Sequence, residues 1–451
     1  MSNSGVVKTF LAALRDTQYL PREQLVEHQR EQLESIVRHA QAHVPFYRDT
    51  GRLKPIFRSD DTIDWERWSE IPLLTRREVQ QAGQALRAEW FPPEHGGSSP
   101  MMTSGTTGEP VAVWHSTLSN PVIREAVIVR NLERHGIDPT QRLAIVFHFD
   151  SERLPQHVAV RHSAGHDAYS EPGLTGERFD ISEHWTPKEI IDALVSTRPK
   201  FVRIQPVVLE LVRAFDHDRR LPDLGISVVF TVGDQFEKKA KEEIAEYLGC
   251  WIIDLYGSKE CGRIASSCPD CGQFHVEAET VFAELLRDDG GVAAPGEKGW
   301  VVVTPLYNYA MPLIRYDHVD QAIVGREGVC PITLPALEAV IGKERVPFTF
   351  PGGVSIRPTV PLGPFVKLLG AQAYQVAQVA EDRCEVRIVP GSIPQSAMGF
   401  AEMTEILRAN WWPGLNVDYK IVSELPHKSG RGKVASIVQE FVRRDETVAT
   451  K

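Results

Sequence analysis

The chain has 451 residues, more than one ordinary core accommodates, so two or three domains are expected. Apolar residues make up 42% of it and charged residues 24%, the balance of a folded soluble protein. A formal charge of −10 without a long Lys/Arg run argues against a nucleic-acid partner, and no apolar stretch approaches the length of a membrane span.

The N-terminus, MSNSGVVKTFLAALRDTQYLPRE, lacks a basic leader and a small-residue cleavage site, and reads as a mature cytoplasmic terminus. From Glu31 to Tyr47, Leu33, Ile36, Val37 and Ala40 fall at helical spacing until Pro45, which predicts an amphipathic helix on a core. Arg142–Phe149 reads as a buried strand, Pro187–Leu194 as a helix, and Phe201 opens the next strand. A helix through Val212, a strand from Ile226, a charged helix over Glu237–Leu248 and a strand from Trp251 continue the alternation. Strands and helices alternating through short links predict an α/β domain with a largely parallel sheet.

The pattern changes after about Pro335. From Leu362 onward the residues predict a helix, a hairpin turning at Glu381-Asp382, a helix around Met403–Trp411 and a strand from Asn416. That order is complete enough for a small separate α+β domain, and the Pro/Gly-rich stretch Val346–Pro364 reads as the junction. The expected division is therefore 1–345 for a large N-terminal domain and 346–451 for a small C-terminal one.

The sharpest local signal is Thr103-Ser104-Gly105-Thr106-Thr107-Gly108, followed by Glu109-Pro110. Hydroxyls interleaved with glycines let the backbone approach an anion closely with N–H and O–H donors aimed at it, as a polyphosphate requires. The spacing is not the Gly-x4-Gly-Lys pattern of the common nucleotide loop, and the same composition suits a polar surface loop.

Together with five further stretches, this loop resembles the acyl-adenylate-forming superfamily, closest to its phenylacetate–CoA ligase-like branch. "VRHAQAHVPFYRD" looks like that branch's opening helix and "IPLLTRREVQ" like the segment after it. "YGSKE" resembles the adenine and metal motif, "VVVTPLYNYAMPLIRYDHVDQ" the strand and turn that hold the ribose, and "SGRGKVASIV" the segment carrying the adenylation lysine. The matches run in order from about residue 30 to about residue 440.

The resemblance implies a large multi-layer adenylate-forming domain with a small mobile α+β domain. It implies that ATP is bound by Ser104, Gly105, Thr106, Thr107, Gly108, Tyr256, Gly257, Ser258, Lys259, Asp320, Arg315 and Lys343. Tyr256 ends a predicted strand, where its ring could stack on a purine; a core aromatic is the alternative. Glu260 is placed like the Mg2+-binding carboxylate, a hard oxygen ligand, and an ordinary solvated acid is the alternative. Asp320 is placed to accept from both ribose hydroxyls. Arg315 is placed to hold that turn or the phosphate, unless it makes a plain salt bridge. Lys433, after Gly430-Arg431-Gly432, is placed to meet the negative charge that builds during adenylation.

A metal site is read separately. Cys268-Pro-Asp-Cys271 followed by His275 can set three soft or borderline ligands on one knuckle, and Cys330 can supply a fourth. By resemblance such a Cys3His set holds a structural Zn2+; Cys261 competes as a ligand, and free buried thiols are the alternative.

The chain departs from the family at Lys259, where a hydroxyl residue is usual, at Glu109, where Lys is frequent, and at Gly342-Lys343-Glu344-Arg345, where a Gly-Arg hinge is usual. His148, His157, His162 and His166 either line the acyl pocket or are ordinary surface and core residues. The reaction implied is attack of a small carboxylic acid, aromatic or arylalkanoic, on ATP to give acyl-AMP and pyrophosphate, then transfer to a thiol such as CoA. Transfer to an amine or carrier protein, adenylyl transfer to a hydroxyl, and a non-catalytic nucleotide- or zinc-binding protein are the competing readings. No nucleic-acid or membrane partner is expected, and a homodimer is left open.

Overall fold

The computed structural model describes residues 3–441 apart from 103–110, 148–158, 163–175, 184, 234–235, 237, 342–346, 357, 359–364, 366–367, 391–394, 424 and 426–436. Two compact units emerge: Met1–Thr103 with Ala112–Gly342 make up the larger, and Lys343–Lys451 belongs to the smaller.

The larger unit opens with helices α1 (Asn3–Thr17), α2 (Arg22–His43) and α3 (Pro45–Thr50). Helix α2 contains the expected apolar stripe, with Leu33, Ile36, Val37 and Ala40 all buried, but it starts earlier than Glu31. It stops where expected: Pro45 holds Val44 in an extended conformation (φ −112°, ψ 112°), and the chain restarts as α3. A short helix, α4 (Arg76–Ala82), begins in a capping box formed by Thr75 and Glu78. Strands β1 (Ser98–Met102) and β2 (Ala112–Ser116) pair antiparallel on either side of the hydroxyl-rich segment. Helix α5 (Arg124–Arg134) follows.

The rest of the unit is built on twelve strands: β3 (Leu143–Phe147), β4 (Val160–His162), β5 (Arg178–Ser182), β6 (Phe201–Ile204), β7 (Val228–Val232), β8 (Trp251–Ser258), β9 (Gly262–Ser267), β10 (Phe274–Val276), β11 (Val281–Leu286), β12 (Lys298–Pro305), β13 (Tyr316–Val324) and β14 (Ala336–Ile341). Their order in the sheet is β11-β12-β13-β14-β10-β9-β8-β7-β6-β3-β5-β4. Strands β5, β3, β6, β7 and β8 run parallel, with helices α6 (Pro187–Thr197), α7 (Pro206–Phe215) and α8 (Lys238–Leu248) in the connections. Val146, Val202, Ile204 and Val229 pack there against Ile190, Leu194, Val208, Val212 and Ile244. Each such aliphatic side chain contributes about 1.5–3 kcal/mol on burial.

The expectation of a largely parallel sheet is corrected beyond β8. The chain reverses between Ser258 and Gly262, too tight a return for a parallel crossover, and every pairing from β8 through β11 is antiparallel. The sheet is mixed, and its two halves meet at the segment that carries Tyr256 to Glu260.

In the smaller unit β15 (Phe348–Phe350) pairs with β16 (Val354–Ile356). A separate four-stranded sheet contains β17 (Ala371–Ala380), β18 (Arg383–Pro390), β19 (Asn416–Ile421) and β20 (Ile437–Gln439), in the order β19-β18-β17-β20. The expected hairpin is β17–β18, and the expected helix is α9 (Ala397–Asn410), capped by Ser396 and contributing Met403 and Leu407 to a core with Phe348, Tyr374 and Val386. Strand β20 was not anticipated, and the helix expected near Leu362 lies largely outside the described residues. Among the described residues, no helix is long and apolar enough to cross a membrane.

Candidate nucleotide and metal sites

The candidate nucleotide cluster begins at the bulged end of β8, where the register with β9 slips between Tyr256 and Gly257. Gly257 is required by a close approach: a Cβ there would sit 2.4 Å from the Gly262 carbonyl oxygen. The turn that follows is held by Ser258, whose hydroxyl accepts from the Cys261 N–H at 3.1 Å. His115 on β2 lies 2.8 Å from the Lys259 carbonyl oxygen; burial lowers its pKa, so the neutral ring donates to that carbonyl.

The Tyr256 hydroxyl donates to Asp320 Oδ2 at 3.2 Å, and His318 Nδ1 lies 2.7 Å from the same oxygen. A carboxylate only accepts, so Nδ1 carries the hydrogen. Burial, followed by the charge of Asp320, raises the Tyr256 phenol well above its ordinary value, so it remains a donor. Val319 sits between His318 and Asp320 at φ +64°, an uncommon and strained conformation for a β-branched residue. The Asp317 carboxylate accepts from the Val319 N–H at 3.0 Å and helps hold it there.

Glu260 is buried and paired with Arg76 at 2.8 Å. Lys259 directs its ammonium to the Met102 carbonyl oxygen at 2.9 Å. Arg315 is not gathered with these groups: its guanidinium grips Glu284 at 3.0 and 3.1 Å and donates to the carbonyls of Ser69 and Ile71 at 2.8 and 2.6 Å. Its role visible here is to tie the start of β13 to the chain before α4. Ser104, Gly105, Thr106, Thr107, Gly108, Lys343 and Lys433 lie outside the described residues, as do Glu109, His148, His157 and His166; His162 is on β4.

Sequence reasoning assigned no role to His318 or Arg76. His318 had only its nearness to Asp320 as a signal, because the bulge at Val319 breaks the regular alternation of the strand there. Arg76 had none, being 184 positions from its partner.

The second cluster lies at the far end of β9. Cys268, Cys271, His275 and Cys330 bring one ligand atom each to within 4.8 Å of one another. A tight turn shapes the knuckle: Cys268 N–H donates to Gln273 O at 2.7 Å, Gly272 N–H to Cys268 O at 3.0 Å, and Gly272 adopts φ +72°. Pairing of β10 with β14 brings Cys330, on the approach to β14, to within 3.2 Å of His275 Nε2. The other ring nitrogen, Nδ1, donates to the Leu334 carbonyl at 3.1 Å, which fixes the tautomer and turns the Nε2 lone pair toward the thiols. Cys271 Sγ is 3.6 Å from that nitrogen. Burial pushes the Cys330 thiol up to about 12 and raises Cys268 as well. Cys261 is buried beside Glu260 and is not one of the four.

A buried charge network braces the strands carrying both clusters. Arg130 on α5 pairs with Glu277 and, at 2.7 Å, with Glu279, while Asn131 and Ser266 donate to Glu277 at 2.9 and 2.7 Å. Removing one member of such a pair leaves an uncompensated charge at a cost of about 3–5 kcal/mol.

No protein-family model matches the chain. A phenylacetate–coenzyme A ligase of Thermus thermophilus is 23% identical over 339 residues, covering 72% of this chain and 71% of that protein. One from Escherichia coli is 23% identical over 319 residues, covering 65% of each. Among solved structures, a 2-hydroxyisobutyryl-CoA ligase in complex with its acyl-AMP and CoA superposes with a TM-score of 0.59 at 17% identity, covering 94% of this chain and 92% of that one. The chain is therefore similar to phenylacetate–coenzyme A ligases in sequence, and it shares the fold of the 2-hydroxyisobutyryl-CoA ligase.

Proposed function

We propose that this protein activates a small carboxylic acid with ATP, releasing pyrophosphate, and passes the acyl group from acyl-AMP to a thiol, with CoA the favoured acceptor. The observation that carries the reading is the convergence of Tyr256 and His318 on one oxygen of Asp320. Two donors hold that carboxylate in a fixed aim, which is what recognition of a vicinal diol such as ribose requires. An aromatic or arylalkanoic acid is favoured because the curated relatives are phenylacetate–coenzyme A ligases.

In this reading the Tyr256 ring offers a face to the adenine, and Ser104, Gly105, Thr106, Thr107 and Gly108 cradle the phosphates. Glu260 holds Mg2+, which when bound supplies charge neutralisation on the polyphosphate. Lys433, within Ser429-Gly430-Arg431-Gly432-Lys433, stabilises the charge that develops on the reacting carboxylate and α-phosphate, and Lys343 serves the hinge of a mobile C-terminal domain. A cytoplasmic setting suits six free cysteines.

We assign a structural Zn2+ to Cys268, Cys271, His275 and Cys330. Tetrahedral zinc sets its sulfur and nitrogen ligands about 3.5–3.8 Å apart, so a cluster already within 4.8 Å needs little contraction. Three thiolates and one imidazole form a closed set with no coordination position left for a substrate.

The deciding experiment is carboxylate-dependent ATP–pyrophosphate exchange over a panel of acids, followed by chromatography of products with and without CoA. Exchange with an arylalkanoic acid and a CoA thioester product are expected. Lys433→Ala should abolish exchange while leaving ATP binding within about threefold, because the lysine's contribution is to the transition state. Undiminished exchange in that variant removes the role given to Lys433, and no exchange with any acid removes the adenylation reading.

A further inference from the structure

The Ile71-Pro72-Leu73-Leu74-Thr75-Arg76 stretch has no assigned role, yet it is built into the nucleotide cluster. Leu74 N–H donates to Arg315 O at 2.8 Å, and Asp317 N–H donates to Leu74 O at 2.9 Å, so the segment forms a parallel rung beside the start of β13. The Thr75–Glu78 capping box then turns the chain into α4 and sets the direction of Arg76. Its guanidinium meets Glu260 at 2.8 Å, with side-chain exposures of only 12% and 9%. Among the described residues, Arg76 is the only cation within ion-pair distance of Glu260.

That pairing has a consequence for any divalent cation. A buried carboxylate is not left unpaired cheaply, and Arg76 is the charge partner that Glu260 has before a metal arrives. A metal must then share the carboxylate or displace the arginine. Displacement is favourable only if the guanidinium gains another anion, and a triphosphate is one whose oxygens match its fork. Two other cations of the cluster are engaged elsewhere: Lys259 on a backbone carbonyl, Arg315 on Glu284 and two carbonyls. The phosphate-loop sequence carries an acid, Glu109, where a lysine would have added charge.

We propose that Arg76 is a nucleotide-binding residue with two successive partners. It neutralises Glu260 in the nucleotide-free protein, and it moves onto the phosphate oxygens when Mg2+·ATP takes up that carboxylate. This rests on the adenylation reading above and extends it to a residue 184 positions away from Glu260.

The test measures two affinities that this exchange drives in opposite directions. Calorimetry gives the Kd of Mg2+·ATP, and electron paramagnetic resonance gives the Kd of Mn2+ alone, for the wild-type chain, Arg76→Gln and Arg76→Lys. For Arg76→Gln, Mg2+·ATP should weaken roughly tenfold or more with loss of a charge-assisted fork. Mn2+ alone should tighten by about threefold or more, because its competitor at Glu260 is gone. Arg76→Lys keeps the charge without the fork, so its Mg2+·ATP affinity should fall about threefold to tenfold with Mn2+ affinity unchanged. If Arg76→Gln does not fold, this lysine variant decides alone. Wild-type ATP affinity in either folded variant overturns the proposal, and so does parallel weakening of both ligands, which marks a merely structural pair. A wild-type chain that binds no nucleotide defeats the adenylation reading itself, and this inference with it.

Discussion

Strand β9 separates two clusters built on opposite principles. At one end, Cys268, Cys271, His275 and Cys330 are brought together by one tight turn and one strand pairing, with no carboxylate or guanidinium among them. At the other, Tyr256, His318, Asp320, Glu260 and Arg76 come from three separate stretches, and the charged groups already neutralise or orient one another. The knuckle is a closed set suited to holding the fold. The proposed nucleotide cluster has a buried, paired carboxylate at Glu260 and a strained residue at Val319, features that suit the binding and release proposed for it.

The largest expected effect tests the structural half of that contrast. Cys271→Ser removes one of the four proposed ligands from a site of a kind whose metal contributes of order 10–16 kcal/mol in small zinc domains. The variant should purify with well under one zinc per chain and melt lower by about 10 °C or more, read by metal analysis and calorimetric melting. At temperatures where it is folded, its ATP affinity should stay near that of the wild-type chain. Full zinc occupancy with an unchanged melt would falsify the knuckle as a structural centre.

Gly257→Ala acts at the opposite end of the strands. The new methyl must clear the Gly262 carbonyl oxygen, 2.4 Å away, so the β8–β9 turn has to open and carry Tyr256 and Glu260 with it. Overpacking of this kind costs about 1–3 kcal/mol, measurable by urea unfolding. ATP affinity should fall while zinc content stays at the wild-type level. A variant that loses zinc but keeps ATP would reverse the comparison and show that the two ends are coupled differently from the geometry described here.

Local spacing made the knuckle legible: two cysteines three apart and a histidine four further on lie on one turn and the strand after it. Cys330 is 55 residues beyond His275, and the family resemblance, not local spacing, pointed to it. The parallel half of the large sheet was equally legible, because β6, β7 and β8 each follow a helix with clear apolar periodicity. Its antiparallel half was not, since those strands are joined by short loops and no helices mark their ends. Within the nucleotide cluster, Tyr256 and Asp320 were anticipated from the family resemblance and are in contact. Arg315 shows the limit of that approach: nothing near it in sequence announces that Glu284 and two backbone carbonyls absorb its guanidinium. The pairing of Arg76 with Glu260 is a tertiary fact, fixed by where Leu74 docks beside β13, and no periodicity encodes it.

The smallest expected effect addresses how Asp320 is aimed. Tyr256→Phe keeps the ring, and with it any stacking on adenine, and deletes only the hydroxyl that donates to Asp320 Oδ2 at 3.2 Å. His318 holds the same oxygen through the shorter contact, 2.7 Å, so the carboxylate keeps its main anchor. The hydroxyl's share is then that of one ordinary hydrogen bond, about 1 kcal/mol, and ATP should bind roughly fivefold more weakly by calorimetric titration. Zinc content should not change, because the knuckle shares no hydrogen bond with Tyr256. A loss of a hundredfold would assign the aim to Tyr256 and reduce His318 to a packing partner. An affinity within experimental error of wild type would mean that His318 alone holds Asp320 and that the two-donor account of diol recognition is wrong.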